Sequence, residues 1–418
     1  MKAIVLAAGE GRRLRPLTYT RPKCMIKVAN IPIVEYAINS LKNAGIKDIV
    51  MVVGYKKEAV MEYFGDGKGF GVSIEYVEQS EAIGTANAVY VAKELAGDKF
   101  LSLNGDVLID ELYIKKFLEQ TKDFDFAMAI SQVDNPRDYG VVKTDSNSMV
   151  SQIVEKPEKN GNHNINAGIY LFNDSIFDAI ERTERSERGE YELTDSLRIL
   201  LKRESIRAVH VDGTWIDIGR PWDMLNANEI LLSSIEEDIQ GEIEKNCTIK
   251  GKIIVGKNSI IRSGAYIIGP VKIGENTTVG PNCFIRPSTT LGNNVVVGNA
   301  VEIKNSIIMD RTNVCHLSYV GDSIIGENCN IGAGTIAANL RHDNKNIMMR
   351  IKDELVDTGR RKFGVIMGDM SKTGVNVSIN PGKRIGPHSL VGPGVIVYSD
   401  IKPNIIVTKV QDVHEKGV

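Results

Sequence analysis

The chain has 418 residues, 42% hydrophobic and 25% charged, a globular composition long enough for two or three domains. Lysine and arginine total 51 against 53 aspartate and glutamate, so the formal net charge is −2, no basic half stands out, and a nucleic-acid partner is disfavoured. No apolar run approaches the ~20 residues of a membrane span, and five cysteines (Cys24, Cys247, Cys283, Cys315, Cys329) without a Cys-x-x-Cys pair argue against a disulfide framework or zinc knot and for a reducing cytoplasm.

From residue 1 to about 233, short apolar runs alternate with amphipathic helical stretches, the pattern of an α/β domain on a mostly parallel sheet. Strands are predicted at 4–7, 49–53, 73–77 and 100–103. Between the first two, Pro32 opens a helix with Val34, Ala37, Ile38 and Leu41 on one face, and Gly45 suits its end. Ligands of such sheets bind beyond the carboxyl ends of the strands, so the loops after Ala7 and Leu103 are expected to face one crevice.

The first loop, Ala7-Ala8-Gly9-Glu10-Gly11-Arg12-Arg13-Leu14, is a Gly-rich turn directly after a strand. Its N–H groups can cradle phosphates, because glycine permits close backbone approach. A lone Gly-x-Gly is usually a plain turn, and neither a third fingerprint glycine nor a Walker Lys-Ser/Thr pair is present. Arg13 and Arg21-Pro22-Lys23, however, add fixed cations. In the second loop, Leu103-Asn104-Gly105-Asp106 places a carboxylate at a strand end, and Trp215-Ile216-Asp217-Ile218-Gly219 supplies another.

Past a short helical linker at 230–242 the period becomes six. Aliphatic residues recur at Ile243, Ile249, Val255, Ile261, Ile267, Ile273, Val279, Ile285, Leu291, Val297 and Ile303, with Met309 and Cys315 expected to continue the count. The phase is expected to slip after Cys315 and to resume at Ile325 and again from Met367. A second inward register of small or β-branched groups runs from Cys247 to Ile307. Glycines such as Gly256, Gly274, Gly292 and Gly298 are expected to accept the tight corners. Each hexad then supplies one strand of a solenoid. A sandwich with strands every 8–12 residues cannot generate that count. The polar segment 341–362 interrupts the repeat, as loops that build binding surfaces do.

Gly-x-Gly-x-Arg followed by Pro-Lys resembles the signature of sugar-1-phosphate nucleotidyltransferases, a likeness that spans the first ~230 residues. The hexads resemble the hexapeptide-repeat left-handed β-helices, which implies a homotrimer. Cys315-His316-Leu317-Ser318-Tyr319-Val320-Gly321-Asp322, followed by Asn330-Ile331-Gly332-Ala333-Gly334-Thr335-Ile336 and Asn339, is similar to the acetyltransferase site of the bifunctional N-acetylglucosamine-1-phosphate uridylyltransferase/glucosamine-1-phosphate acetyltransferases. The implied architecture is a Rossmann-like nucleotidyltransferase domain at 1–229, a linker at 230–242 and a left-handed parallel β-helix at 243–418.

The resemblance also implies roles. Arg13 and Lys23 would stabilise transition-state charge and the leaving pyrophosphate, while Asp106 and Asp217 would hold Mg²⁺ between the phosphates of both substrates. The chemistry needs this, since an anionic sugar phosphate must attack an anionic α-phosphate. Ala8, Gly9, Gln79, Gly84 and Thr85 would bind the nucleotide, and Gly140, Glu155, Lys156 and Asn166 the sugar. In the β-helix, Arg286, Lys304 and Lys345 would hold an amino-sugar phosphate, Tyr319 and Asn330 the sugar, Asn339 the reacting groups, and Ala333 acetyl-CoA. His316 would be the general base, because an amine attacking a thioester must lose a proton. The implied function is synthesis of UDP-N-acetylglucosamine or a related nucleotide sugar. A single-activity nucleotidyltransferase with a structural or regulatory β-helix is the alternative.

Three departures bring the pattern closer to archaeal homologues: Arg15-Pro16-Leu17-Thr18 before the Pro-Lys pair, Asp217 where bacterial enzymes carry Asn, and Met367-Gly368-Asp369 in place of Gly-Ser near acetyl-CoA. UTP against dTTP, and glucosamine against galactosamine, stay open. The alternating charges at 181–192 read as a solvated helix or loop, although 190–195 lies near the sugar site by resemblance. Arg360-Arg361-Lys362 reads as a solvated loop, and His163, His210, His342, His388 and His414 show no metal-ligand spacing.

Overall fold

A computed structural model describes residues 1–133, 136, 139–155, 163–352 and 354–410. The chain divides into two compact units. The first comprises Met1–Glu10, Arg21–Met25 and Pro32–Asp217; the second comprises Gly11–Thr20, Ile26–Ile31 and the chain from Ile218 on.

In the first unit Lys99–Asn104, Lys2–Ala7, Asp48–Val53 and Ser73–Glu78 lie side by side and parallel, matching the four predicted strands. The predicted helix is Ile33–Asn43; Val34, Ala37, Ile38 and Leu41 are all fully buried, and Gly45 follows it with φ +82°. Burying each of its branched aliphatic side chains contributes about 1.5–3 kcal/mol. Alternation along Lys2–Ala7 divides the core in two. Ala3, Val5 and Ala7 pack with that helix, while Ile4 joins Phe100 and Phe172 on the opposite face. The sheet is extended by antiparallel strands: His163–Asn173 pairs with Lys99–Asn104 and Ala127–Val133, and the hairpin Gly140–Thr144/Val150–Glu155 lies beyond. A separate ribbon joins Val107–Ile109 to Trp215–Asp217, with Asp217 opposite Val107.

The second unit is a left-handed β-helix of three parallel sheets with eight, nine and eight strands among the described residues. The hexad aliphatics stack coil on coil, as in Val255 under Ile273 under Leu291, and form one continuous core. The count shortens earlier than the sequence suggests. Leu291 lies under Ile308, not Met309, and Val297 under Val314, not Cys315. Two sides, from Ile303 to Ile308 and from Val320 to Ile325, hold one residue fewer than a hexad. The run Ile307-Ile308-Met309 offers three interchangeable apolar candidates, and the left-handed corner at Asn305 (φ 45°) selects among them.

The glycines have a different task from the one expected. Gly256, Gly274, Gly292 and Gly298 are not left-handed; that conformation falls mainly to asparagines such as Asn258, Asn276 and Asn294. The glycines are needed for space. A Cβ on Gly274 would sit 2.4 Å from Asn293 Oδ1, and one on Gly292 2.4 Å from Asp310 Oδ1. Those oxygens accept backbone N–H groups from Glu275 (2.8 Å) and Asn293 (2.9 Å), so each glycine admits the Asx side chain of the next coil.

The helix expected within 230–242 is instead Pro221–Ser233, opened by Pro221 and a capping bond from Arg220 N–H to Asp223 Oδ2 (2.7 Å). Asp238–Ile239 already pairs with the β-helix. Asn228, buried within that helix, ties it to the coils through Ser288 O (2.9 Å) and Thr290 Oγ1 (2.7 Å). The interrupting segment contains an antiparallel hairpin, Met348–Ile351 with Glu354–Asp357. Among the described residues no helix is long and apolar enough to cross a membrane.

Candidate active sites

The loops after Ala7 and Leu103 do face one crevice. Leu6 and Asn104 are register partners, Gly105 N–H donates to Leu6 O (2.9 Å), and a cleft of about 260 Å³ opens at the strand ends. Ala8, Gly9, Lys23, Gln79, Gly84, Thr85 and Asp106 all line it. The Lys23 side chain is 10% exposed, and its Nζ lies 2.5 Å from Asp106 Oδ2 and 3.8 Å from Asp217 Oδ1, so one ammonium joins a carboxylate from a turn and one from a strand. The ribbon explains the meeting, because Asp217 pairs with the neighbour of Asp106 in sequence. Cys24, next to Lys23, is a buried thiol pushed up to about 12 by desolvation and by the charge of Asp106.

Gln79 donates through Nε2 to Gly84 O (3.0 Å) and Asn87 Oδ1 (2.9 Å), fixing the far wall of the cleft. Gly84 has φ +120°, and a Cβ there would meet Tyr191 O at 2.3 Å. Ala86 N–H donates to that carbonyl (3.0 Å), and Tyr191 N–H donates to Ile83 O (2.7 Å). The 181–192 stretch is largely exposed, as its charges suggest, but its end straps the 83–86 loop: Glu192 is buried and pairs with Arg188 at 2.7 Å. Arg188 also reaches Glu155 (3.4 Å).

Glu155 and Gly140 are register partners, and a Cβ on Gly140 would touch Glu155 Oε2 (3.1 Å) and Asn166 Cβ (3.8 Å). Three of the four predicted sugar residues thus meet; Lys156 lies outside the described residues, as does His414. Asn166 is oriented by its bonds to Tyr170 OH (2.6 Å) and Gly168 N (3.0 Å). Arg13 is carried on the turn Arg12–Leu14, in the stretch Gly11–Thr20 that belongs to the second unit.

In the β-helix, Glu302 and Tyr319 stack on one sheet, as do Lys304 and Gly321. Arg286 pairs with Glu302 (2.9 Å). The centre of the constellation is Asp322, a residue of the Cys315–Asp322 motif for which the resemblance implies no role. It is 2% exposed and accepts from Lys304 Nζ (3.1 Å), Asn305 Nδ2 (2.9 Å) and Asn339 Nδ2 (2.5 Å), with Arg360 at 4.0 Å. Asn339 also donates to Tyr319 OH (3.0 Å), whose ionisation is pushed up by burial and by the Asp322 charge. A Cβ on Gly321 would lie 2.3 Å from that hydroxyl, so a larger residue there would displace the Tyr319 and Asn339 side chains. Arg360 is accordingly no free loop residue: it reaches Asp322, Glu229 (3.9 Å) and Asn226.

His316 is exposed at the corner before Tyr319, stacked above Asn299 and below Gly334, whose N–H donates to His316 O (3.4 Å). Ala333 adjoins that corner, and Asn330 is exposed on the strand paired with Asn313–His316 in the next coil. Lys345 is exposed in the interrupting segment and makes no side-chain contact with the Asp322 group among the described residues.

A family model described as nucleotidyl transferase matches residues 2–234, and one described as GMPPB C-terminal domain matches residues 267–356. Over 98% of its length the chain is 44% identical to the bifunctional protein GlmU of Methanocaldococcus jannaschii, covering 98% of that protein. It is 40% identical, over 96% of its length and 98% of the relative's, to the bifunctional sugar-1-phosphate nucleotidylyltransferase/acetyltransferase of Sulfurisphaera tokodaii. The chain belongs to this bifunctional family. A crystal structure from Bacillus anthracis described as a glucose-1-phosphate thymidylyltransferase covers only the first part: TM-score 0.52, 30% identity, 57% of this chain and 97% of that one.

Within the bifunctional family, the Asp369 departure has a structural account. Its Oδ1 accepts Glu327 N–H (2.8 Å) and its Oδ2 accepts Thr20 Oγ1 (2.5 Å), so it caps a coil as Asp310 does and anchors the 11–20 stretch. In sequence Asp369 directly follows Gly368, as the equivalent Asn293 directly follows Gly292. No comparable signal marked Asp322, whose partners are distant in sequence.

Proposed function

We propose that the chain acetylates glucosamine-1-phosphate with acetyl-CoA, then transfers uridylyl from UTP to N-acetylglucosamine-1-phosphate with release of pyrophosphate. One observation carries the reading: a single chain holds two separate phosphate-ready constellations, Lys23 between Asp106 and Asp217 and the cations beside Asp322. Domains at 1–229 and 243–418, a homotrimer through the β-helix and a cytoplasmic setting, which suits five free thiols, complete the proposal.

Two carboxylates converging on one cation fit Mg²⁺, which takes one or two carboxylates and completes its shell with phosphate oxygens and water. Asp106 and Asp217 would hold the ion, which when bound supplies charge neutralisation across both substrates' phosphates. Lys23 offers its ammonium to the α-phosphate, and Arg13 supports the departing pyrophosphate. The glycine turn orients the triphosphate so that the sugar-phosphate oxygen bonds to the α-phosphorus as the bond to the β-phosphate oxygen breaks. With Gln79 Nε2 committed to the loop, its Oε1 is the group left to accept from a base, which matches the ring N–H of uracil or thymine. Gly140, Glu155 and Asn166, with Lys156, receive the sugar.

In the second site Arg286, Lys304 and Lys345 hold the phosphate, Tyr319, Asn330 and Asn339 the sugar, and Ala333 lies against acetyl-CoA. The amine lone pair bonds to the thioester carbonyl carbon, His316 takes the proton it sheds, and as the C–S bond breaks that proton passes to the departing sulfur, releasing the thiol. The deciding experiment is an activity matrix: purified protein with Mg²⁺, a panel of nucleoside triphosphates and sugar phosphates, and separate measurement of thiol release. Thiol release with glucosamine-1-phosphate and pyrophosphate release with UTP are expected. Absence of thiol release with every amino-sugar phosphate would make the β-helix structural only.

A further inference from the structure

A second cavity, of about 450 Å³, lies wholly within the second unit and shares no lining residue with the nucleotide cleft. Its charged lining is Arg12, Arg15, Lys352, Arg384, Lys402 and Asp400. These come from stretches far apart in sequence: the turn region after Gly11, the tip of the interrupting hairpin, and the last coils. The wall is organised. Asp400 accepts two bonds from the Arg384 guanidinium (2.9 and 2.7 Å) and one from its backbone N–H (2.9 Å), which fixes that fork in place. The Arg15 guanidinium lies over the Tyr19 ring at 4.7 Å. Leu14, Leu17 and Thr18 are buried, and Thr20 is hydrogen-bonded to Asp369, so the stretch bearing the first two arginines is itself anchored.

Five cations thus line the cavity with a single carboxylate, which is engaged by one of them. Gathering like charges in a partly enclosed space raises the local potential and attracts a compact multivalent anion. Arginine forks match phosphate oxygens in pairs, and three arginines with two lysines suit several linked phosphates better than one carboxylate. We propose that this cavity is a binding site for a polyphosphate, free or carried on a nucleoside. Occupancy joins the 11–20 stretch to the last coils through charge-assisted hydrogen bonds. None of Asp106, Asp217, Lys23, Arg286, Lys304 and Lys345 lines the cavity.

Amide hydrogen exchange of the full chain with and without inorganic tripolyphosphate tests this, read on residues 383–406, which contain no proposed catalytic group. Protection is expected there, and its midpoint should shift to at least ~10-fold higher ligand in Lys352→Glu/Lys402→Glu, two exposed positions. Lys245→Glu/Lys257→Glu, with the same charge change on exposed residues of the early coils, should leave the midpoint unchanged. A parallel titration with UTP separates the sources: a lower midpoint than tripolyphosphate assigns a nucleoside-borne ligand, an equal or higher one the free polyphosphate. No protection, protection unaltered by Lys352→Glu/Lys402→Glu, or equal weakening in the control variant overturns the proposal.

Discussion

Asp322→Asn is expected to separate substrate holding from chemistry in the proposed acetyltransferase site. The carboxylate is buried and accepts from three donors, Lys304, Asn305 and Asn339, two of them on the same oxygen. Breaking a buried ion pair by removing one partner costs about 3–5 kcal/mol, and Asp322→Ala should approach that. The amide keeps one acceptor and the side-chain volume but turns an N–H toward a group that is itself a donor, so about 2 kcal/mol is expected for Asp322→Asn. Expressed in the placement of Lys304 and Asn339, 2 kcal/mol corresponds to a KM for glucosamine-1-phosphate raised up to ~30-fold. The KM for acetyl-CoA and the rate of nucleotidyl transfer should change little, because neither engages Asp322. Initial-rate kinetics with both substrates varied, alongside a thermal melt, measure this. An unaltered sugar-phosphate KM would show that Asp322 serves only the fold, and equal rises in both KM values would point to general loosening of the coil.

Asp106→Asn and Asp217→Asn should each lower pyrophosphate release on the order of 10²–10³-fold, the scale for losing one charge-stabilising group; near-normal rates at saturating Mg²⁺ would remove that carboxylate from metal binding. His316→Ala should lower thiol release by ~10²–10⁴-fold while nucleotidyl transfer from an already acetylated sugar phosphate persists. Its residual rate should climb with pH as free amine becomes available, and full retained activity would exclude His316 as the base. The buried thiols of Cys24, Cys283 and Cys329 are each pushed from 9.0 to about 12 by desolvation. Above pH 9 the unfolded chain ionises these thiols while the folded chain keeps their protons. The stability they contribute is therefore intact below about pH 9 and declines toward pH 12, by up to ~1.4 kcal/mol per thiol per pH unit. Thermal melts between pH 8 and 10.5 should show the decline, and a Cys24→Ala/Cys283→Ala/Cys329→Ala variant with the same slope would contradict it.

The sequence by itself determined what depends on period and on local backbone demands. Alternating strands, the helix behind Pro32 and the six-residue repeat are each stated within a few residues of chain, because burial on one face selects apolar residues at a fixed spacing. The Gly-rich turn and the strand-end aspartate were legible for the same reason, since each sits at a strand terminus where the fold alone would ask for neither. Tertiary structure decided what depends on partners remote along the chain. Lys23 meets Asp217 only because a two-stranded ribbon returns to Val107. Asp322 becomes a hub only because coils three sides long bring Lys304 and Asn339 over it. The shortened sides at Ile308 and Ile325, and the cations around Arg384, belong to the same class. Their one-dimensional neighbourhoods look like any apolar run or any charged surface, and only the closing of the solenoid brings them into contact.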